Sequence, residues 1–273
     1  MLRRWSIVLV TLTLSAATAL VASGTAAAGT GMATANTPTA SHVSVDPGGL
    51  PHLVGHESGA AGILHQAQST NWSGYADSSG TFTSVSASWT QPRGTCGRSG
   101  QFAAFWVGID GFNSGTVEQT GSEVDCIGRT AQYAAWFEMF PGPSQNYSNP
   151  VAPGDHFTAT VKYLGGQNFS LFIADTTQGW SHTTNASLGQ APALSSAEVI
   201  VEAPCCTSSG GVLSLADFGT VSLTGPTANG EAIGTSALSP TEITMIDSQG
   251  RDKDSCSGLT SGENFTCTWL RST

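Results

Sequence analysis

Alternation of period two, in short bursts and with no longer rhythm behind it, is what most narrows the folds open to this chain. Residues 81–89, 102–109, 131–140, 156–164, 169–175, 197–202, 218–223, 242–247 and 264–270 each read as a strand, parted by turns rich in Gly, Pro, Asn and Ser. No stretch keeps a helical period of about 3.6 residues for three turns. Many short strands between closely spaced turns predict an all-β sandwich or barrel, and the roughly 200 residues after residue 70 are enough for one large core. There is no internal repeat, no P-loop and no dinucleotide-binding fingerprint.

The first 69 residues have a different texture. Arg3 and Arg4, an apolar stretch over 5–22 and the small residues Ala26, Ala27 and Ala28 read as a signal peptide over 1–28, so the product is expected to be secreted and extracellular, with no membrane attachment after the signal is removed. Residues 29–69 are rich in Ala, Thr, Gly, Pro and Ser and are expected to form a pro-segment or a disordered linker. They hold His42, His52, His56 and His65 at irregular spacings with no cysteine nearby, which does not match a metal site. Residues 70–273 are expected to be a single catalytic domain.

Charge excludes one class of partner. Lys and Arg number 9 against 19 Asp and Glu, a net charge of -10, which repels phosphate backbones and leaves no basic footprint for nucleic acid. The only lysines are Lys162 and Lys253, so few cations repel one another once acid has protonated the carboxylates, and tolerance of acid is expected.

Six cysteines, Cys96, Cys126, Cys205, Cys206, Cys256 and Cys267, all fall in the later domain, and an even number in an exported chain suggests disulfides. Cys256 and Cys267 flank a Gly-containing turn and are the first pair expected; Cys96 with Cys126 is the second, while a vicinal Cys205–Cys206 bond would be geometrically strained. The domain's only histidines are His156 and His182, with no nucleophile elbow, so a Ser-His-Asp triad, a Cys-His pair and a zinc site are all disfavoured. Carboxylate and carboxamide chemistry remains, with no metal and no cofactor expected.

Strand parity shows which acids share a face. Glu198, Ile200 and Glu202 alternate with Ala197, Val199 and Val201, and Trp136 and Glu138 lie opposite Tyr133, Phe137 and Met139. On pattern alone the expectation for these acid faces is an ordinary solvated face of an antiparallel sheet.

Ordered motifs carry the reading further. Asn71-Trp72-Ser73-Gly74-Tyr75, Trp106-Val107-Gly108-Ile109-Asp110-Gly111, Gln119-Thr120-Gly121, Tyr133-Ala134-Ala135-Trp136-Phe137-Glu138, Ser196-Ala197-Glu198 with Val201-Glu202, and Ala216-Asp217-Phe218-Gly219 resemble, in this order, the glutamic peptidases, or eqolisins. The resemblance implies a jelly-roll or concanavalin-like sandwich of two antiparallel sheets with a concave substrate groove. It also implies a monomeric acid endopeptidase that cleaves polypeptides, insensitive to pepstatin, with Gln119 and Glu198 as the catalytic dyad. Glu202 is the rival for Glu198, which occupies the motif's Ala-Glu position. Trp106, Asp110, Trp136 and Glu138 match positions lining or bracing the cleft, and Glu123 falls where the family tends to have an aspartate. This chain departs from the pattern in Ala134, which replaces an acid, and in lacking cysteines at the places of the family's best-known disulfide.

Those residue types suit the chemistry, since a carboxylate can activate a water and a carboxamide can donate to an oxyanion. Two other readings compete. One is a jelly-roll glycoside hydrolase with Glu138 and Glu198 as its carboxyl pair. The other is a non-catalytic carbohydrate-binding sandwich with Trp72, Trp106 and Trp136 as a stacking platform.

Overall fold

The computed structural model describes residues 53–57, 65–205, 211–235 and 237–273. In chain order the strands are β1 (Leu53–Glu57), β2 (His65–Ser69), β3 (Trp72–Asp77), β4 (Ser84–Thr90), β5 (Gln101–Ile109), β6 (Val117–Ile127), β7 (Thr130–Phe140), β8 (Gln145–Asn146) and β9 (His156–Gly165). They continue with β10 (Asn168–Asp175), β11 (Trp180–Ser187), β12 (Ala197–Glu202), β13 (Ser214–Leu215), β14 (Thr220–Ala228), β15 (Glu231–Ala232), β16 (Pro240–Met245), β17 (Asp254–Cys256) and β18 (Phe265–Trp269). No helix occurs among the described residues.

The strands form two sheets. The first runs β1-β2-β16-β3-β12-β5-β6-β7-β8, with β13 beside β5, and the second runs β11-β10-β9-β4-β14-β18-β17, with β15 beside β14. Pairing is antiparallel except for β16 with β2 and β13 with β5. This is the antiparallel sandwich that the alternation predicts. The strands β1 and β2 fall within 29–69, and β2 extends the first sheet beyond β16.

A continuous core fills the space between the sheets. Tyr75, Phe105, Val107, Val199 and Val201 of the first sheet meet Val85, Trp89, Phe157, Leu171, Ile173 and Val221 of the second. Each such side chain stabilises the fold by roughly 1.5–3 kcal/mol through apolar area removed from water. The second sheet is half-solvated, as alternating burial along β4 and β10 shows. Its outer face is covered by hydroxyls that pair across strands, Ser88 with Thr158 at 2.9 Å and Ser86 with Thr227 at 2.8 Å. Uncharged hydroxyls supply much of the polarity of that face, beside His156 and Lys162 on β9.

The first sheet behaves differently, with β3, β5 and β12 buried along their whole length. The acid face of β12 is therefore not a solvated sheet face. A second apolar cluster of Trp72, Ala76, Ala104, Trp106, Phe112, Val117, Trp136, Ile200 and Ile243 lies on it, separate from the intersheet core.

Nine of the described strands escaped the alternation signal, β1, β2, β3, β6, β8, β11, β13, β15 and β17, of which β6 and β11 are the longest. The strand β6, Val-Glu-Gln-Thr-Gly-Ser-Glu-Val-Asp-Cys-Ile, is polar on both parities, and β11, Trp-Ser-His-Thr-Thr-Asn-Ala-Ser, has almost no apolar face. The disulfides Cys96–Cys126 and Cys256–Cys267 form as the sequence suggests, the second joining register partners on β17 and β18. Cys205 is also disulfide-bonded, to a partner outside the described residues.

Candidate active site

Backbone register lines up the sequence-predicted residues in one row. Glu198 on β12 pairs with Gly108 on β5, Gly108 with Gln119 on β6, and Gln119 with Glu138 on β7. Residues paired across strands point to the same face, so these side chains rise together above the sheet. Neighbouring strands lie ~4.8 Å apart, which puts the Cα atoms of Glu198 and Gln119 roughly 10 Å apart. That gap is suited to two long side chains converging over a residue with none.

Gly108 supplies the gap. A Cβ there would sit 2.8 Å from Cζ3 of Trp106 and 3.2 Å from Cβ of Gln119, so even alanine would crowd both neighbours. The adjacent row repeats the device, since Trp106 pairs with Gly121 and Gly121 with Trp136. A side chain at Gly121 would collide with the Phe105 carbonyl and the Trp106 side chain.

Glu138 holds Gln119 in one orientation. Nε2 of Gln119 donates to Oε2 of Glu138 at 2.7 Å, and both residues are fully buried. Oε1 of Gln119 has no hydrogen-bond partner. A carboxamide nitrogen carries two hydrogens, so one N–H remains for another acceptor. Glu138 thus acts on Gln119.

Glu198 is fully buried, and the donors facing its carboxyl are the Ser196 hydroxyl and the Phe112 N–H. Burial pushes its pKa well above the usual carboxylate range; Asp110 and Glu118 add to the rise, while the Ser196 hydroxyl and the Phe112 N–H act against it. A carboxyl with a raised pKa, on one face with a fixed carboxamide, can both accept and return a proton.

The remaining site residues brace this arrangement. Trp106 Nε1 donates to Oε2 of Glu202 at 2.8 Å, and the Trp106 ring meets Trp72 edge-on at 4.9 Å. Glu202 also accepts from Asn71 Nδ2 at 3.4 Å, so it belongs to the indole-anchoring group, two rows from Glu198 along β12. Trp136 packs in the same apolar cluster as Trp72 and Trp106. Asp110, with a backbone φ of 68°, accepts from the N–H groups of Ala193, Leu194 and Ser195 at 3.0, 2.8 and 2.7 Å and from the Ser195 hydroxyl at 3.0 Å. It holds the turn from which β12 carries Glu198 into place.

Sequence reasoning missed three polar residues. Asn71 partners Glu202, Asn146 Nδ2 reaches Oε1 of Glu123 at 3.4 Å, and Glu118 is a buried carboxyl beside Gln119. Parity along β6 would have flagged Glu118 had β6 been read as a strand, because it puts an acid on the core-facing side. His156 and His182 lie on β9 and β11 of the second sheet and take no part in the row. The acidic and sulfur side chains of Asp254, Cys256 and Cys267 cluster, but the two cysteines are joined in a disulfide and do not form a thiolate metal site.

Known proteins share both this sequence and this fold. Residues 70–269 match the family described as the Peptidase A4 family. Aspergillopepsin-2 of Aspergillus niger is 27% identical over 233 residues, covering 77% of this chain and 80% of that protein. A structure of scytalido-glutamic peptidase with a transition state analog inhibitor superposes with a TM-score of 0.63 at 23% identity, covering 74% of this chain and 98% of that one. The aspergilloglutamic peptidase from Aspergillus niger gives a TM-score of 0.55 at 27% identity, covering 62% of this chain and 99% of that one. With its family match over residues 70–269 and this sandwich fold, the chain is a peptidase of the Peptidase A4 family, the glutamic peptidases.

Proposed function

We propose that this chain is a secreted acid endopeptidase in which Glu198 and Gln119 form the catalytic dyad. The observation that carries this reading is the row Glu198–Gly108–Gln119–Glu138, in which the carboxyl and the carboxamide share one face across a glycine gap and the carboxamide is oriented by a second acid. Burial raises the pKa of Glu198 so that its ionised form is a minor one in acid; in that form it takes a proton from a water that attacks the scissile carbonyl carbon. The N–H of Gln119 not committed to Glu138 donates to the oxyanion, a contribution of about 3–4 kcal/mol for donors of this kind. Glu198, now protonated, gives its proton to the leaving amine as the C–N bond breaks. Water supplies the nucleophile, so the cysteines stay in their disulfides throughout. Trp106 and Trp136 line the groove beside the dyad, and Asp110 and Glu138 brace it.

The glycosidase reading fits less well. Gln119 lies between Glu198 and Glu138 and occupies Glu138, whereas retaining glycosidases hold their carboxyls ~5 Å apart. As for the carbohydrate-binding reading, Trp72 and Trp106 are buried and pack edge to face, so they do not offer parallel rings for stacking. Incubating the processed protein with denatured protein and with polysaccharide at about pH 3.5, below the usual Glu pKa of ~4.3, separates the classes. Peptide release that persists with pepstatin is expected. Sugar release without peptide release would overturn the proposal.

A further inference from the structure

Glu118, next to Gln119 in the chain, is a buried carboxyl that the mechanism does not use. It precedes Gln119 on β6, pairs with Ile109 and Met139, and so points to the opposite side of the sheet from Gln119. It is fully buried. Its neighbours are few in kind. From β5 comes Ile109, followed directly by Asp110; from β7, Met139; from the turn before β6, Thr116; and from β12, Glu198 lies close enough for the two carboxyls to repel. Among the described residues no lysine, arginine or histidine forms an ion pair with any of these acids.

Three carboxyls therefore surround the turn that feeds β12, and their hydrogen bonding is unequal. Asp110 accepts four hydrogen bonds from Ala193, Leu194 and Ser195. Glu118, buried beside it with only the Thr116 hydroxyl acting to favour its charged form, is held neutral.

We propose that Glu118 is a positioning residue of this active site: its retained proton keeps a second charge away from Asp110, which anchors the turn that presents Glu198, and loss of that proton sets the alkaline limit of activity. Ionised Glu118 would push against Asp110, weaken its grip on residues 193–195 and add negative charge near Glu198. This rests on Glu198 being the catalytic carboxyl.

The test is the pH profile of Glu118→Gln, whose carboxamide has the shape of the protonated acid and cannot ionise. With each protein normalised to its own maximal kcat, the alkaline fall is expected to move up by about one pH unit in the variant, with KM unmoved. Superimposable profiles would overturn the proposal. A second readout needs neither catalysis nor that variant: a titration of glutamate carboxyls by 13C NMR in the Glu198→Gln protein. One glutamate is expected to keep its proton past neutrality, near the value of about 8 to which burial and Asp110 push Glu118, and to titrate lower when Asp110→Asn is added. No such carboxyl, or one indifferent to Asp110, would overturn it. Cleavage that survives Glu198→Gln would instead remove the dyad and leave the titration result standing.

Discussion

At Gly108, two hydrogens decide whether Glu198 and Gln119 can converge. Substituting alanine puts a methyl 2.8 Å from the Trp106 ring, and overpacking of this kind costs about 1–3 kcal/mol. Gly108→Ala is expected to fold with a lowered Tm and to lose kcat at least tenfold, read by calorimetry and steady-state kinetics on the same preparation. Glu138→Gln tests the orientation of Gln119. The variant side chain can still accept through its oxygen, but without charge, so the hydrogen bond weakens by about 1 kcal/mol and kcat is expected to fall several-fold while KM holds. Trp106→Phe keeps the ring and removes the N–H donated to Glu202, a charge-assisted bond worth about 1.5–3 kcal/mol, which is expected to appear as a loss of stability by denaturant melts.

The strands show why part of this site was legible in the sequence and part was not. Along β12 the apolar residues Ala197, Val199 and Val201 alternate with Glu198, Ile200 and Glu202, so parity alone separated the core side from the acid side. The site strand β6 carries Glu118, Gln119, Ser122, Glu123 and Asp125 on both parities because each of its faces serves polar groups, which erases the period-two signal. Gln119 was thus found through its motif, and Glu118, which has no motif, was not found. The acid face reads on pattern alone as solvated because alternation records only that two faces differ, not that water covers one of them. In the first sheet both are buried, and Trp72, Trp106 and Trp136 line the face that carries the acids. Asp110, which in sequence matches a position lining or bracing the cleft, uses its carboxylate and the positive φ at its backbone to fix where β12 begins. Asp110→Asn turns an acceptor into a group that presents N–H to N–H on one side. It is expected to lower kcat at every pH, measured alongside Tm, because the turn before Glu198 loosens.

Over the whole molecule, buried carboxyls make the fold itself respond to pH. Burial raises Asp125 and Asp254 to about 7 and Glu118 to about 8, and pushes Glu198 up as well. In the unfolded chain these groups titrate near 4, so between about pH 4 and 8 the native state binds more protons than the unfolded one and stability falls as pH rises. Lys253, lowered to about 8 by burial, acts with the opposite sign and only above that window, and the exposed pairing of Asp247 with Arg251 weakens only in strong acid. Tm is therefore expected to be higher at about pH 4 than at pH 7, and a Tm that climbs across this range would contradict the burial of these acids. The scarcity of lysine and the hydroxyl-rich outer face of the second sheet add little charge repulsion in acid, which agrees with the activity in acid proposed above. The measurement that bears most directly on the dyad is kcat/KM for a peptide substrate at about pH 3.5, for wild type, Glu198→Gln and Gln119→Ala, each with its melting curve. Rates reduced at least a hundredfold by Gln119→Ala and to background by Glu198→Gln, with cooperative melting retained, are the expected result. Folded Glu198→Gln protein that cleaves within tenfold of wild type would contradict it.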